Sequence, residues 1–407
     1  LSGTNGVVGA GFSITPGGAV AGIVTVGAAV TITESGIEAS GIGITCASIN
    51  DGAIGGRRNL IINGAMLVAQ RGTSSTSNSD FTADRFQIIF SGTDESPTHA
   101  QADVSSGTTP YTLGFRKSLK ITNGNQTSGA GVADYLIARY QVEAQDMANS
   151  GWNYTSASSY VTLSFWIKSS VAQNFYFNLI SGDGTLQNYA YETGSLTADT
   201  WTKVTKTIPG NSNIQFNNDN GSGLQLDFWA YGGTNYTASG VALNQWGTYS
   251  SGNRMPDITT TWYTTNDATF EVTGVQLEVG PQATPFEHRS FGEEMSLCER
   301  YFQVMARGDS HYLTNCMFYS NTVQTGVINF KTQMRTTPTL YQVAVNSGYV
   351  IYHNSSGDSF NSFTGGTALS QDAGAIYNSG TITGTAGHCG GFYLNDASCF
   401  IAMQSEI

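Results

Sequence analysis

The side chains that most often act as acid-base catalysts are present, but they do not form a known catalytic pattern. No histidine belongs to a GxSxG elbow, an HExxH pair or a Cys/His signature. The five histidines are His99, His288, His311, His353 and His388. The adjacent Glu293 and Glu294 open a predicted helix, where carboxylates stabilise the positive end of the helix dipole. We therefore predict no catalytic residue, although a triad can also be assembled from residues that are distant in sequence.

Glycoside hydrolysis would need two carboxylates that face each other across a groove. The sequence leaves open Asp227 paired with Glu271 or Glu278. Asp227 lies between the apolar Leu226 and Phe228, and alternation places neighbouring side chains on opposite faces of a strand. Asp227 is thus predicted to point away from the core into solvent. A polysaccharide depolymerase is consequently kept as a third functional hypothesis.

Metal and disulfide chemistry receive little support. Asp183, residues 218–220 and Asp267 offer oxygen ligands of the type that calcium prefers, but no spacing resembles a DxDxDG loop. The five cysteines are odd in number and form no CxxC motif. Cys389 and Cys399 are close enough in sequence to pair across a hairpin, although free thiols fit a protein assembled in the reducing cytoplasm of a host cell. We predict neither a metal site nor a cofactor.

Aromatic residues are the most informative group, because sugar rings present apolar C–H faces that stack on aromatic rings while their hydroxyls pair with amides. Most of the six tryptophans are expected in the core or in contacts between subunits. Trp229 lies opposite an aliphatic row in an alternating segment, and Trp246 lies in a polar, Gly-rich stretch. The predicted glycan-binding residues are Trp229, Trp246, Tyr249 and Asn244.

Composition excludes several partner classes. The net charge is −12, and the 17 lysines and arginines are scattered, whereas a protein that binds nucleic acid needs a basic stripe. No apolar run is long enough to span a membrane, and no signal peptide is evident. We predict neither a nucleic-acid partner nor a membrane span. Because the sequence begins with Leu1, we expect it to lack an N-terminal attachment region.

The elements that must position these residues are predicted to be almost entirely β. Residues 1–56 are Gly-rich with short Val and Ile pieces, which favours an intertwined shaft or trimerisation segment over a flexible linker. Residues 57–289 show repeated period-two segments, most clearly 160–168, and predict a jelly-roll β-sandwich. In residues 290–407, a capping box at Ser290–Glu293 predicts one short helix, and a smaller C-terminal β-domain follows.

Several motifs in the predicted sandwich resemble one known family. The segments 57–73 and 83–86, then 163–169, 272–280 and 283–290, resemble in the same order a domain of tail fibres and related virion proteins of marine phages. The resemblance implies a jelly roll similar to carbohydrate-binding modules, in a homotrimeric fibre. Some such modules bind calcium through an acidic residue that begins the last strand, but Thr273 and Gly274 occupy that place here.

We also expect a structural role for the arginines of these motifs. Arg57, Arg58 and Arg71 are among few cations in the chain, and salt bridges to acidic residues such as Glu287 or Glu293 would tie the start of the sandwich to its end. Asp84 is a further candidate partner. The motifs are therefore expected to mark the scaffold, and the loops between them to carry recognition.

Three functional hypotheses follow. The first is a tail-fibre or spike subunit of a virion, assembled in the host cytoplasm as a homotrimer, which adheres to a host-surface glycan or lipopolysaccharide without catalysis. The second is a structural capsid fibre, decoration or tail protein that contacts only other virion proteins. The third is the depolymerase.

Overall fold

β-strands separated by Gly, Ser and Asn turns make up nearly the whole of the described chain. The computed structural model describes residues 57–407 and, before them, the backbone of four short strands. The strands are β1 Val8–Gly9, β2 Phe12–Ser13, β3 Val30–Thr33, β4 Gly36–Ala39, β5 Ser74–Ser75, β6 Asp80–Ala83, β7 Phe86–Ser91, β8 Thr98–Asp103, β9 Lys117–Thr122, β10 Tyr135–Glu143, β11 Tyr160–Ser169, β12 Asn174–Ser181, β13 Gln187–Ser195, β14 Thr202–Pro209, β15 Ser222–Gly232, β16 Trp246–Thr248, β17 Thr269–Val279, β18 Phe302–Ser320, β19 Val323–Asn329, β20 Thr339–Val343, β21 Tyr349–His353, β22 Ser356–Phe360, β23 Gly365–Thr367, β24 Ala373–Ser379 and β25 Cys389–Gln404. The helices are α1 Thr109–Thr112, α2 Ala144–Ala148 and α3 Phe291–Glu299.

Two antiparallel sheets form the predicted β-sandwich. One sheet has seven strands in the order β16-β13-β12-β15-β10-β7-β6, and the other has six in the order β14-β11-β17-β9-β8-β5. Their facing sides interlock through aromatic rings: Phe165 lies 5.2 Å from Phe228, and Phe177 lies 6.0 Å from Phe270, both in edge-to-face geometry. The all-β sandwich expected from period-two patterning is confirmed.

Strand β11 shows how well the alternation predicts the core. Val161, Leu163, Phe165 and Ile167 are all fully buried in the core. The opposite face of β11 is also covered, since Thr162 is fully buried and donates a hydrogen bond from its hydroxyl to the Gly280 carbonyl. The alternating pattern assigned the residues of β11 to its two faces correctly. It did not indicate that another part of the chain covers the polar face.

A third antiparallel sheet follows the sandwich. Its order is β22-β21-β25-β18-β19-β24-β23, with β20 paired to β25 as well. A separate apolar core lies on one face and includes Phe318, Ile351 and Phe392. Residues 55–407 nevertheless form one compact unit, so the predicted division at residue 290 stays a prediction.

The predicted short strands of this region differ from the structure in length. Segments expected to be separate strands near residues 312 and 317 belong to the single 19-residue β18. Similarly, the segments 391–394 and 398–402 belong to the 16-residue β25. β-bulges interrupt the β18–β25 ladder and produce the breaks in alternation. Cys389 and Cys399 both lie on β25 and are free thiols, so the considered hairpin disulfide was wrong.

The predicted helix is confirmed as α3. Ser290 is its N-cap, and its hydroxyl oxygen accepts a hydrogen bond from the Glu293 amide at 3.3 Å. The helix ends at Glu299, so Tyr301 and Phe302, which share its apolar spacing, lie beyond it. The shaft and trimerisation predictions concern residues 1–56, which fall outside the described residues apart from the antiparallel pairs β1–β2 and β3–β4.

Candidate functional site

The outer face of the seven-stranded sheet, which points away from the sandwich core, carries polar and aromatic side chains. In the strand register Arg139 of β10 lies opposite Asp227 of β15 and Gln87 of β7. On the same face Ile137 lies opposite Trp229. The sheet therefore brings residues from three sequence segments into one short row.

Arg139 and Asp227 form a forked ion pair at the centre of this row. The Arg139 Nε and Nη2 atoms donate to the two Asp227 carboxylate oxygens at 2.8 and 3.0 Å, and the Gln225 amide donates to one of them at 2.8 Å. The Asp227 side chain is 0% exposed. Burial alone would lower the pKa of Arg139, but the hydrogen bond and charge of Asp227 raise it above its ordinary value. The guanidinium is thus held charged and oriented, and the predicted solvation of Asp227 was wrong.

Beside this pair lies a cavity of about 200 Å³, which we call the aromatic cavity. Tyr135, Arg139, Trp229, Tyr236 and Arg254 line it. The Tyr135 and Tyr236 rings meet edge to face at 5.1 Å, and Tyr236 also lies 6.0 Å from the Trp229 ring. Since its volume is below the roughly 300 Å³ at which pockets for drug-sized ligands begin, the cavity suits a single small ring.

Arg254 reaches the cavity from the loop that follows β16. Its guanidinium lies over three rings, with its carbon 5.4 Å from the Trp229 centroid, 5.3 Å from Tyr236 and 5.5 Å from Tyr249. The loop is anchored because the Arg254 carbonyl accepts a hydrogen bond from the Asn188 amide at 2.8 Å. Within the described part of the chain, Arg254 has no carboxylate at salt-bridge distance. The cavity therefore carries a net positive charge.

Two of the four predicted glycan-binding residues lie at this cavity. Trp229 is 0% exposed, and its Nε1 donates to the Asn178 side-chain oxygen at 2.7 Å. Its ring is the buried back wall and is not an open stacking platform. Tyr249 is half-buried and contacts the cavity through Arg254. Glycan binding by Trp229 and Tyr249 stays a prediction, and the buried Trp229 lies behind the residues that a ligand would contact.

The other two predicted residues lie elsewhere. Trp246 belongs to the edge strand β16, where its ring packs 5.2 Å from the ring of the buried Tyr189 and its Nε1 donates to the Pro209 carbonyl at 2.7 Å. Asn244 is exposed, has a φ of 59° and donates its backbone N–H to the Ala190 carbonyl. Both positions close the edge of the sandwich, away from the aromatic cavity.

The sequence arguments missed Tyr135, Tyr236, Arg139 and Arg254. Tyr135 and Arg139 do share one side of an alternating strand, which is a usable signal. Tyr236 and Arg254 lie in the loops before and after β16, which have no regular periodicity, and only the fold brings them to the sheet.

The carboxylate pairs considered for hydrolysis do not face each other. Asp227 lies on the outer face of the seven-stranded sheet, whereas Glu271 and Glu278 lie on the outer face of the six-stranded sheet. Glu271 pairs with Lys168 at 3.0 Å. Stacked sheets are about 10 Å apart between backbones, so the whole core separates Asp227 from both glutamates.

In the part of the chain that the structure describes, no three His, Cys, Asp or Glu side chains converge as a metal site. None of the described helices is both long and apolar enough to cross a membrane.

The motifs that carry the family resemblance act as scaffold. The Asn59 side chain accepts hydrogen bonds from the Ile61 and Leu277 amides, while the Glu287 carboxylate accepts one from the Asn59 amide at 2.8 Å. Arg57 pairs with Glu293 at 2.6 Å, as expected.

The expected Glu287 does bind Arg58, since its carboxylate accepts a hydrogen bond from the Arg58 backbone amide, but the two other motif arginines also have partners that the sequence did not suggest. Arg58 lies 3.6 Å from Glu278, and Arg71 pairs with Glu406 at 3.1 Å. These contacts tie the start of the sandwich to its end and to the C-terminal sheet.

Larger clefts of about 560 and 600 Å³ occur where the sandwich meets the C-terminal sheet. In the first cleft Arg71 binds Glu406, and in the second the Arg300 guanidinium binds Glu143 at 2.6 and 2.8 Å. The linings also include Asp80 in the first cleft and Asp146, Asp219 and Arg335 in the second.

No protein-family model and no curated protein matches this chain. The chain is similar to a solved structure described as CBM4, with 13% identity over 54% of this chain and 98% of the other and a TM-score of 0.27. It is also similar to a family 11 carbohydrate-binding module from Clostridium thermocellum, with 14% identity over 53% and 98% and a TM-score of 0.23. A third is the enzymatically active domain of bacteriophage CBA120 tailspike protein 4, with 10% identity over 55% and 21% and a TM-score of 0.26. At these TM-scores the likeness decides nothing about function.

Proposed function

We propose that this chain is a virion fibre or spike subunit whose sandwich binds a host-surface glycan in the aromatic cavity, without catalysis. The observation that carries the glycan part is the grouping of Tyr135 and Tyr236 beside the forked Arg139–Asp227 pair. Ring faces accept the apolar side of a sugar, and charged groups fixed by one another make strong hydrogen bonds to hydroxyls.

The charge of the cavity favours an acidic sugar. Arg139 is neutralised by Asp227, whereas Arg254 lies over three rings and donates from its Nε to the Ser251 carbonyl at 3.2 Å, with no carboxylate at salt-bridge distance among the described residues. A guanidinium pairs in forked geometry with a carboxylate or phosphate group. We therefore expect the ligand to contain a uronic acid or a phosphorylated sugar, as surface polysaccharides and lipopolysaccharide cores do.

The test is binding of soluble oligosaccharides to the full chain, measured by calorimetry, after a glycan array has selected ligands. Tyr236→Ala should weaken binding by about threefold to tenfold, because an aromatic contact contributes about 0.5–1.5 kcal/mol beyond its buried area and 1.4 kcal/mol is a tenfold change. Arg254→Gln should weaken binding of acidic oligosaccharides and leave neutral ones largely unaffected.

The control is Phe291→Ala at the start of α3, where the Phe291 side chain is 58% exposed. Its affinity for soluble oligosaccharide should equal that of the unmodified chain. Thermal unfolding of each variant checks the fold. Unchanged affinity in both Tyr236→Ala and Arg254→Gln would remove the aromatic cavity from the proposal.

The virion part of the proposal rests on the sequence resemblance and is tested separately. Antibody labelling of particles that carry this chain should place it on the tail. Labelling on the capsid, with no oligosaccharide bound, would favour the structural-protein alternative. Release of reducing ends from host envelope by the full chain would support the depolymerase instead.

A further inference from the structure

One face of the C-terminal sheet is open and rich in tyrosine. Its outward side chains include Tyr312, Met317, Tyr319, Val327 and Tyr352, which are 65%, 45%, 74%, 64% and 41% exposed. They make up five of the ten exposed large hydrophobic side chains among the described residues. We call this surface the tyrosine face.

The strand register shows that these side chains share one surface. Tyr312 lies opposite Tyr393, and Val350 of β21 lies opposite Tyr393 from the other side. Met317 lies opposite Cys389 on β25 and Thr325 on β19. The reverse side of the same strands carries the buried C-terminal core, so the tyrosine face is the side without a covering layer in the described part of the chain.

Tyr312, Tyr352 and Tyr393 form a packed group on this face. Tyr393 meets Tyr312 and Tyr352 edge to face, each at 5.1 Å between ring centroids. Rings fixed in this way lose little side-chain freedom when a partner covers them. Monomeric proteins rarely leave a contiguous patch of this kind exposed without a function.

The tyrosine face is also free of charge. The segments 312–330, 349–352, 373–379 and 389–395 contain no Asp, Glu, Lys or Arg. Depletion of charge with enrichment of tyrosine and methionine is typical of the centre of a protein interface. The whole chain carries −12, so two copies repel each other except where an uncharged surface brings them together.

The size of the face is sufficient for a specific contact. β21, β25, β18, β19 and β24 lie side by side. At a spacing of about 4.8 Å and about 3.4 Å per residue, five strands of roughly six residues give a surface of about 500 Å². Two such faces together cover about 1,000 Å², the lower limit for a biological interface.

We propose that the tyrosine face is the surface through which this chain binds a second copy of itself. A sugar is a poorer occupant, because the exposed amide side chains on β18 and β19 are only Asn315 and Asn329 and the four segments of the tyrosine face contain no charged hydrogen-bonding groups. The proposal is independent of the aromatic cavity, which lies on a different sheet.

The test is the mass of the full chain in solution, measured by analytical ultracentrifugation over a concentration series. The unmodified chain should sediment as an oligomer at micromolar concentration. Val327→Glu and Tyr319→Glu should each raise the dissociation constant at least tenfold, because each places a like charge in the contact of two acidic chains. Val132→Glu is the matched control, since Val132 is 60% exposed on the sandwich, and its mass should be unchanged.

Circular dichroism and thermal unfolding confirm that the variants are folded. A monomeric unmodified chain would overturn the proposal, as would an oligomer whose dissociation constant is the same in both glutamate variants. Loss of oligosaccharide binding in Tyr319→Glu with no change in mass would also overturn it and assign the face to glycan.

Discussion

Trp229 illustrates at the level of single residues why a tryptophan on the outer face of a sheet need not be open to solvent. Alternation placed it correctly away from the core, but Tyr236 and Arg254 cover its ring. These two residues lie in the loops on either side of β16, whose paths depend on tertiary contacts. Sequence pattern therefore predicts the face of a strand residue, but not what the loops add above it.

Glu143 is the residue whose charge state should control acid stability. It is fully buried and accepts hydrogen bonds from Arg300 and from the Tyr301 hydroxyl. Burial alone would raise its pKa, but these hydrogen bonds and the charge of Arg300 lower it below its usual 4.5. A lowered pKa means that the pair contributes its full stability above the unfolded-state pKa and loses it as the pH falls further.

We expect Glu143→Gln to lower the free energy of unfolding by about 3 kcal/mol at pH 7. This value is the lower end of the range for breaking a buried ion pair, because Arg300 stays in contact with solvent and is therefore less costly to leave unpaired. Between pH 6 and about 3 its stability should fall less steeply than that of the unmodified chain. Urea unfolding at several pH values measures both effects. If the free energies of unfolding of the variant and the unmodified chain change with pH in the same way, Glu143 is not the group that controls acid stability.

At the level of elements, the short helix α3 was the most accurate prediction after the strands. The capping box identified its first turn because that signal is local, lying within four residues. The end of the helix was harder, since Tyr301 and Phe302 continue its apolar spacing but lie beyond it. α1 and α2 have only four and five residues and left no recognisable pattern.

Ser290→Ala should lower the free energy of unfolding by about 1 kcal/mol, because the Glu293 amide loses its acceptor. Ser296→Ala is the matched control, since Ser296 is exposed inside the same helix and bonds only the Gly292 carbonyl. Ser296→Ala should be neutral or slightly stabilising, as alanine favours helix interiors. Equal losses in the two variants, measured by urea unfolding, would contradict the capping argument.

At the level of the whole molecule, Glu406 joins the C-terminal sheet to the sandwich. Its carboxylate binds both Arg71 and Arg85, whose side chains are 3% and 2% exposed. The two guanidinium groups also lie over rings, Arg71 at 3.7 Å from Phe302 and Arg85 at 3.4 Å from Tyr301. More than 300 residues separate Glu406 from these arginines, so no local pattern in the sequence indicated the contact.

Glu406→Gln should cost about 3–5 kcal/mol of unfolding free energy, because it removes the carboxylate that binds two buried guanidinium groups. Asp372→Asn, at an exposed position just before β24, is the control and should change stability by less than about 0.5 kcal/mol. Chemical denaturation measures both. A loss in Glu406→Gln no greater than in the control would mean that the rings and the remaining contacts, such as the Arg85 hydrogen bond to the Gln141 carbonyl, are enough to stabilise the two arginines.

The paired strands β18 and β25 also have a mechanical consequence. They run side by side from Phe302 and Gln404 at the sandwich to Met317 and Cys389 at the tyrosine face, roughly 50 Å of strand at about 3.3 Å per residue. If the sandwich is bound to a host surface and the tyrosine face to a second copy of the chain, as proposed, a force that separates these two partners acts along the strands. Their backbone hydrogen bonds then share the load in shear, so we expect this ladder to bear tension and to yield last.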